Sequence, residues 1–434
     1  MLFGVFSLNA GLFPQDPDPA EEPVMEDDSE ETIEDDDSEL REGTVIVEDN
    51  NEIPADSLVD EGNFIRYSAN IIQMNGDDWT ELKGRFRETG YENFSILHIG
   101  DSHLQADIAT GEVRRLFQES RGNGGRGLIV PFRLAGTNEP SDYKFTLSCG
   151  SNVSKLLKKP WVTDMNFTGI GVSPKDHAFD LTIENLGDVP NRFRFVRIYS
   201  TGEYNITDAK TQSGYPLKFS VDRNTEDGYT DIFLDRNVSD IIISFYAPST
   251  MTFHGAMLTT EEPGVIYNVI GNNGATYHSY SLIEDFGKGA STLYPDLIIL
   301  SMGTNEAFGK LTPSEFRAQL NRLIAEIRQF NPESKLLLTT PKECQRRITT
   351  GRKWRRRTSY SVVNNCNLFR NVILEYGKDN KIPVYDWYDI AGGDGSSTYW
   401  VKNGLLSQDR IHNTHSGYLL FGGLFYSALE RALN

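Results

Sequence analysis

Phe94-Ser95-Ile96-Leu97-His98-Ile99-Gly100-Asp101-Ser102-His103 decides how the rest of the chain is read. A largely apolar run closed by a glycine predicts a buried strand. The polar residues after it predict a turn at the carboxyl end of that strand, where open α/β sheets collect functional groups. Helical spacing follows from Leu104 to about Glu119. Further strands are expected over 264–270, 295–302, 335–339 and 382–386, with a helical stretch from about Thr276. Pro313–Phe330 has helical spacing with a proline in its first turn, and a closing helix is expected from Ser416 to about Leu433. Strands alternating with helices predict an α/β fold whose parallel sheet is covered on both faces.

The stretch 140–262 breaks this rhythm. Phe179–Glu184, Phe193–Ile198 and Ile241–Tyr246 are short β-rich segments separated by turn residues, the pattern of an all-β sandwich. It reads as an insertion between the first and second catalytic strands. The expected organisation is therefore 63–139 and 263–434 as two parts of one α/β domain, with the sandwich at 140–262.

The net charge of -20 is a property of the amino-terminal region. Residues 11–60 hold 20 of the 62 acidic residues against one base, Arg41, so the remainder is nearly neutral. The acidity consequently says little about the substrate. Residues 14–62, rich in Asp, Glu, Pro and Ser, bury too little apolar area to offset their ordering entropy and read as a disordered acidic linker. Met1–Phe13 is a short apolar run with Leu8-Asn9-Ala10 near its end; it either resembles the end of a secretory signal, without a basic n-region, or is a short apolar end with no targeting role. The signal reading places the protein in the periplasm, secreted or at the cell envelope. No later run approaches the length of a membrane-spanning helix.

Cys149, Cys344 and Cys366 are too few and too widely spaced for a disulfide framework or a metal site. One disulfide is compatible with them, but spacing does not say which two pair. Neither CxxC nor HExxH spacing occurs, so no metal is expected.

Four segments carry chemistry. Ser102 lies at the end of the first strand, where its hydroxyl is presented and its N–H opens a helix terminus. Gly271-Asn272-Asn273-Gly274-Ala275-Thr276 follows the second strand and Gly303-Thr304-Asn305-Glu306 the third. The Ser102 and Gly274 N–H groups and the Asn305 amide are a candidate three-donor oxyanion hole. Asp409-Arg410-Ile411-His412 precedes the closing helix. A histidine there can take the serine proton, while the carboxylate one turn earlier sets its tautomer.

In this order the four blocks resemble the SGNH (GDSL-like) hydrolase family. The resemblance implies a flavodoxin-like three-layer fold and a cofactor-free serine esterase with Ser102, Asp409 and His412 as its triad. The sequence departs from the commoner pattern in having His103 after Gly-Asp-Ser and Glu306 where Asp is usual. The form Gly-Asp-Ser-His, the block Asn273–Thr276 and a β-domain after the first helix are similar to the peptidoglycan O-acetylesterase branch. Residues 122–127 and 135–138 resemble envelope proteins of that kind. The branch implies an inserted carbohydrate-binding-like domain and an O-acetylated polysaccharide substrate, with peptidoglycan foremost. An O-acetyltransferase on the same scaffold and a noncatalytic glycan-binding protein are the alternatives.

Among the other histidines, His103 is expected to line the site, His98 to be core, and His415 is a weaker candidate base. Lys342, Arg346, Arg347, Arg352, Lys353, Arg355, Arg356 and Arg357 form a basic run after the fourth strand. Arg352, Lys353 and Arg355 are its candidate substrate contacts, suited to an anionic polymer or to the acidic tail. Trp354 is the lone aromatic residue within the stretch 352–357, which argues against nucleic acid.

Overall fold

The computed structural model describes residues 64–187, 192–351 and 357–434. The expected signal-like and acidic segments at 1–13 and 14–62 lie outside the described residues, as do Arg352, Lys353, Trp354, Arg355 and Arg356.

Among the described residues the central sheet has the spatial order Ile72–Gln73, Val384–Tyr385, Lys335–Thr339, Leu297–Ser301, Phe94–Gly100, Val265–Gly271. The last five run parallel, and the short Ile72–Gln73 edge is antiparallel to its neighbour. Every residue of Phe94–Gly100 and of Val265–Gly271 is buried, because helices cover both faces. The two-residue alternation of a strand divides its side chains between two cores. Leu97, Ile99, Ile298 and Leu300 pack beneath Pro313–Phe330 and Asn365–Asn380. Phe94, Ile96, Leu297 and Ile299 face the other way, toward Thr80–Arg87, Ile108–Arg121 and His415–Leu433. This is the flavodoxin-like, three-layer arrangement expected of an SGNH-type hydrolase.

The helix expected from Leu104 is interrupted. It forms as Ser102–Gln105 and Ile108–Arg121, with Asp107 between them at φ 56°. The segment from Thr276 likewise divides into Tyr277–Tyr280 and Phe286–Ser291. Pro313–Phe330 forms as expected, started by a capping box in which Thr312 and Glu315 satisfy each other's N–H groups.

The inserted region is all-β. A smaller antiparallel sheet comprises Tyr143–Leu147, Ala178–Asn185, Asp240–Tyr246 and Asn205–Lys210. A larger one runs Phe219–Asn224, Tyr229–Val238, Phe193–Thr201, Thr252–Thr259, Ile170–Pro174, Ser151–Lys155, and Gly127–Ile129 pairs with Thr252–Thr259. Alternating side chains from the two sheets close a shared core, with the Phe145 and Phe253 rings 5.2 Å apart. The opposite face of the larger sheet is not free. Ile170, Val172 and Tyr199 join Tyr280 and Phe286 in the hydrolase core, so the insertion is anchored directly on it.

At the entrance to the insertion, charge is buried in matched pairs. Arg126 Nη2 stands 2.6 Å from Asp107 Oδ2 and 3.0 Å from Asp142 Oδ1, and Arg114 Nη1 is 2.8 Å from Asp107 Oδ2. Burial opposes the ionisation of Asp107, but the two guanidinium groups hold it below the usual carboxylate range.

Candidate active site

The parallel register levels the strand ends. Gly100 is paired with Gly271 on one side and with Ser301 on the other, so the residues that follow all three strands emerge along one edge. That edge is tight. A Cβ on Gly100 would stand 2.5 Å from Leu104 Cδ1 and 2.7 Å from the Ser301 carbonyl oxygen. One on Gly271 would stand 2.6 Å from the Gln105 nitrogen. Glycine at both positions lets Ser102–Gln105 fold back over the strand ends, and Asp101 caps the turn by accepting from the His103 N–H at 3.0 Å.

Ser102 Oγ is 2.8 Å from His412 Nε2, and His412 Nδ1 is 2.6 Å from Asp409 Oδ2. Ser102 and His412 are 310 residues apart in the chain. Burial disfavours the charged form of Asp409. Hydrogen bonds from the His412 imidazole, the Ser407 hydroxyl and the Ile411 N–H nevertheless hold it well below the usual carboxylate range. An ionised Asp409 requires the proton on Nδ1 and leaves the Nε2 lone pair facing the serine hydroxyl.

Three hydrogen bonds shape the loop around this carboxylate. Asp409 Oδ1 accepts from Ser407 Oγ at 2.6 Å, from Ile411 N at 2.8 Å and from His412 N at 3.0 Å. Arg410 adopts φ 66°, an unfavourable conformation for a side chain of its size. It is held by the Gln345 N–H donating to its carbonyl at 3.0 Å and by stacking of its guanidinium 4.6 Å over Tyr360.

Neither the Ser102 N–H nor the Gly274 N–H has an acceptor among the described residues. Gly274 sits at φ 75°, a conformation that glycine adopts without the strain a Cβ would bring. The Asn305 amide is more engaged than its sequence position suggests. Its Nδ2 donates to the Ala275 carbonyl at 3.0 Å and lies 3.3 Å from Asp101 Oδ2, so one hydrogen is committed and the other is only weakly held. Burial pushes Asp101 up to about 6 and Glu306 up to about 7. Glu306 accepts the Tyr277 N–H at 2.9 Å behind the Asn305 turn.

His103 lies beside the relay, its ring 5.1 Å from that of His412 and its Nδ1 3.0 Å from the Tyr418 hydroxyl. Burial and the neighbouring His412 and Lys342 push it well below the ordinary histidine range, so it is neutral. His98 is a core residue between Tyr267 and Ser301, and His415 is exposed on the first turn of the closing helix. The basic run divides. Lys342 is buried beneath the Asp409 loop, its Nζ 3.4 Å from the Ile411 carbonyl, because the chain leaves the fourth strand through the interior. Arg346, Arg347 and Arg357 lie on an exposed hairpin formed by Gln345–Thr350 and Arg357–Val362, whose strands carry no hydrophobic alternation.

Two neighbours of the site carry no sequence pattern and emerge only in space. Gln105 donates to Thr137 Oγ1 and the Asn138 carbonyl, both at 2.9 Å, and accepts the Asn273 N–H at 2.7 Å. Leu157, from the insertion, overhangs Gly274, where a Cβ would lie 2.8 Å from Leu157 Cδ1. Among the described residues no cluster of His, Cys, Asp or Glu is arranged to hold a metal ion, and no helix is long and apolar enough to cross a membrane.

Residues 242–420 match the GDSL-like Lipase/Acylhydrolase family. No curated protein matches the chain in sequence. Among solved structures, a peptidoglycan O-acetylesterase is 19% identical with a TM-score of 0.68, over 83% of this chain and 99% of that one. A lipase/acylhydrolase from Enterococcus faecalis is 23% identical with a TM-score of 0.29, over 39% of this chain and 77% of that one. A Bacillus subtilis protein is 11% identical with a TM-score of 0.32, over 70% and 90% of the two chains.

Proposed function

We propose that this chain is a serine ester hydrolase of the GDSL-like lipase/acylhydrolase kind that removes O-acetyl groups from a polysaccharide, peptidoglycan foremost. The observation that carries the reading is the hydroxyl–imidazole–carboxylate relay of Ser102, His412 and Asp409 beside two N–H groups that no described residue engages. His412 Nε2 takes the Ser102 proton as Oγ attacks the ester carbonyl, and Asp409 stabilises the imidazolium that forms. The negative charge that develops on the carbonyl oxygen falls to the Ser102 and Gly274 N–H groups and the second hydrogen of Asn305 Nδ2. His412 then protonates the departing sugar alkoxide. Water, activated by the same imidazole, releases acetate from the acyl-serine.

The substrate class is supported by the likeness in fold to a peptidoglycan O-acetylesterase over most of both chains. Such a substrate places the enzyme outside the cytoplasm. Leu157 over Gly274 narrows the space around the oxyanion donors, which suits a short acyl group.

The test is acetate release from O-acetylated peptidoglycan and from acetylated xylan, by the wild type and by Ser102→Ala. Serine-dependent release from peptidoglycan alone is expected. Release from xylan alone would move the substrate to plant polysaccharides. Cleavage of a small aryl acetate without release from either polymer would keep the triad and overturn the substrate.

A further inference from the structure

Of the three cysteines, two meet. Cys344 Sγ and Cys366 Sγ are 3.2 Å apart, and the side chains are fully buried at 1% and 0% exposure. Cys149 is remote in sequence, packs at the margin of the sandwich core and has no sulfur neighbour among the described residues. The pair stands at the base of the exposed hairpin. Cys344 directly precedes Gln345–Thr350, Cys366 follows Arg357–Val362 by a few residues, and the Val363 N–H donates to the Cys344 carbonyl at 3.0 Å.

That hairpin is the clamp on the Asp409 loop. Besides the Gln345–Arg410 hydrogen bond and the Tyr360–Arg410 stacking, the Tyr360 hydroxyl donates to the Gln408 carbonyl at 3.3 Å. Its strands are otherwise exposed, so little apolar burial holds it against the loop. A clamp of this kind needs a fixed base.

We propose that Cys344 and Cys366 are joined by a disulfide that fastens the base of the 345–362 hairpin and thereby holds the loop carrying Asp409 and Arg410. The bond forms by exchange with a dialkyl disulfide while the chain folds, before the core closes over both sulfurs. One protein thiolate attacks a sulfur of the oxidant and expels the other as a thiolate. The second protein thiolate then displaces the oxidant's remaining sulfur. The two cysteine sulfurs lose two electrons, the oxidant gains them, and the two thiol protons end on the two oxidant thiols. The pairing stands independently of the substrate assignment, since it rests on the sulfur contact and on the hairpin.

The experiment uses the full chain folded in an oxidising compartment, denatured without reductant and treated with iodoacetamide. Only Cys149 should be alkylated, and a non-reduced tryptic map should join the Cys344 and Cys366 peptides. Alkylation of all three cysteines, or a link to Cys149, would overturn the pairing. The clamp is read by hydrogen exchange on the Cys344→Ala/Cys366→Ala double variant. Exchange over 345–350 and 407–412 should rise about tenfold relative to the oxidised wild type. The melting midpoint should fall by about 3–5 °C. Unchanged exchange in both segments would overturn the role of the bond while leaving the pairing intact. If the variant does not fold, reduction of the wild type in mild denaturant gives the same reading.

Discussion

The short segment Asp101–Asp107 feeds two polar constellations that differ in one respect. At its start, Ser102 and the donors around it leave hydrogen-bonding capacity unspent: the Ser102 and Gly274 N–H groups have no acceptor among the described residues. At its end, Asp107 is matched by Arg114 and Arg126, and Arg126 in turn by Asp142. Unspent donors at a strand edge are available to a developing charge, whereas matched charges at a domain junction hold elements together. Changes in the first set should therefore alter rate far more than stability, and changes in the second should alter stability at constant rate.

The sharpest way to break this contrast is Asp409→Asn. An amide cannot hold the Nδ1–H tautomer as the carboxylate does, so kcat should fall on the order of 10⁴-fold, far out of proportion to the modest fall in melting midpoint expected from losing one charged acceptor in the loop. A rate within tenfold of wild type would remove Asp409 from the triad. Next comes Arg126→Met, which leaves the buried Asp107 and the half-buried Asp142 carboxylates short of a partner. Denaturant unfolding should show a loss of about 3–5 kcal/mol, while kcat of the folded fraction is unchanged. A loss of rate without a loss of stability would place this network in the catalytic set.

Asn305→Ala should lower kcat by about 10²–10³-fold with little change in KM, since its contribution is made to the oxyanion more than to the bound ester. An equal loss in binding would mean that Asn305 positions substrate. The smallest effect concerns Glu306, a buried acid pushed up to about 7 from a usual 4.5. An acid whose pKa is raised on folding binds protons more tightly in the folded state. The stability it confers is complete below its unfolded value and is lost as pH rises through about 7. Glu306→Gln removes that dependence, so the variant's melting midpoint should gain on the wild type between pH 5 and pH 8. Parallel curves would show that Glu306 does not titrate in this range.

The elements legible in the sequence are those whose burial follows a simple pattern. The five parallel strands were legible because burial on both faces writes uninterrupted apolar runs, as in Phe94–Gly100 and Leu297–Ser301. The insertion was legible by its alternation, which Ala178–Asn185 and Asp240–Tyr246 retain as an in-and-out burial pattern. The candidate site residues could be named because each directly follows a strand or precedes the closing helix. The short Ile72–Gln73 edge strand was not legible, since two residues carry no periodicity. Nor was the 345–362 hairpin, whose strands are exposed on both faces and so leave no hydrophobic signature.

By itself, then, the order of residues along the chain determined the strand–helix alternation, the place of the β insertion and the candidates Ser102, Gly274, Asn305, Asp409 and His412. These are local properties, set by periodicity and by the residues at strand ends. Only the tertiary structure decided that the glycine-terminated strands lie level, that Ser102 meets His412 across 310 positions, and that Asn305 shares its amide with Ala275. It also turned Lys342 inward while leaving Arg346 and Arg347 outside, and it brought Cys344 to Cys366. Those outcomes depend on strand register and on which face of each element is covered. Register and coverage belong to the packing of elements distant in sequence, and no single segment encodes them.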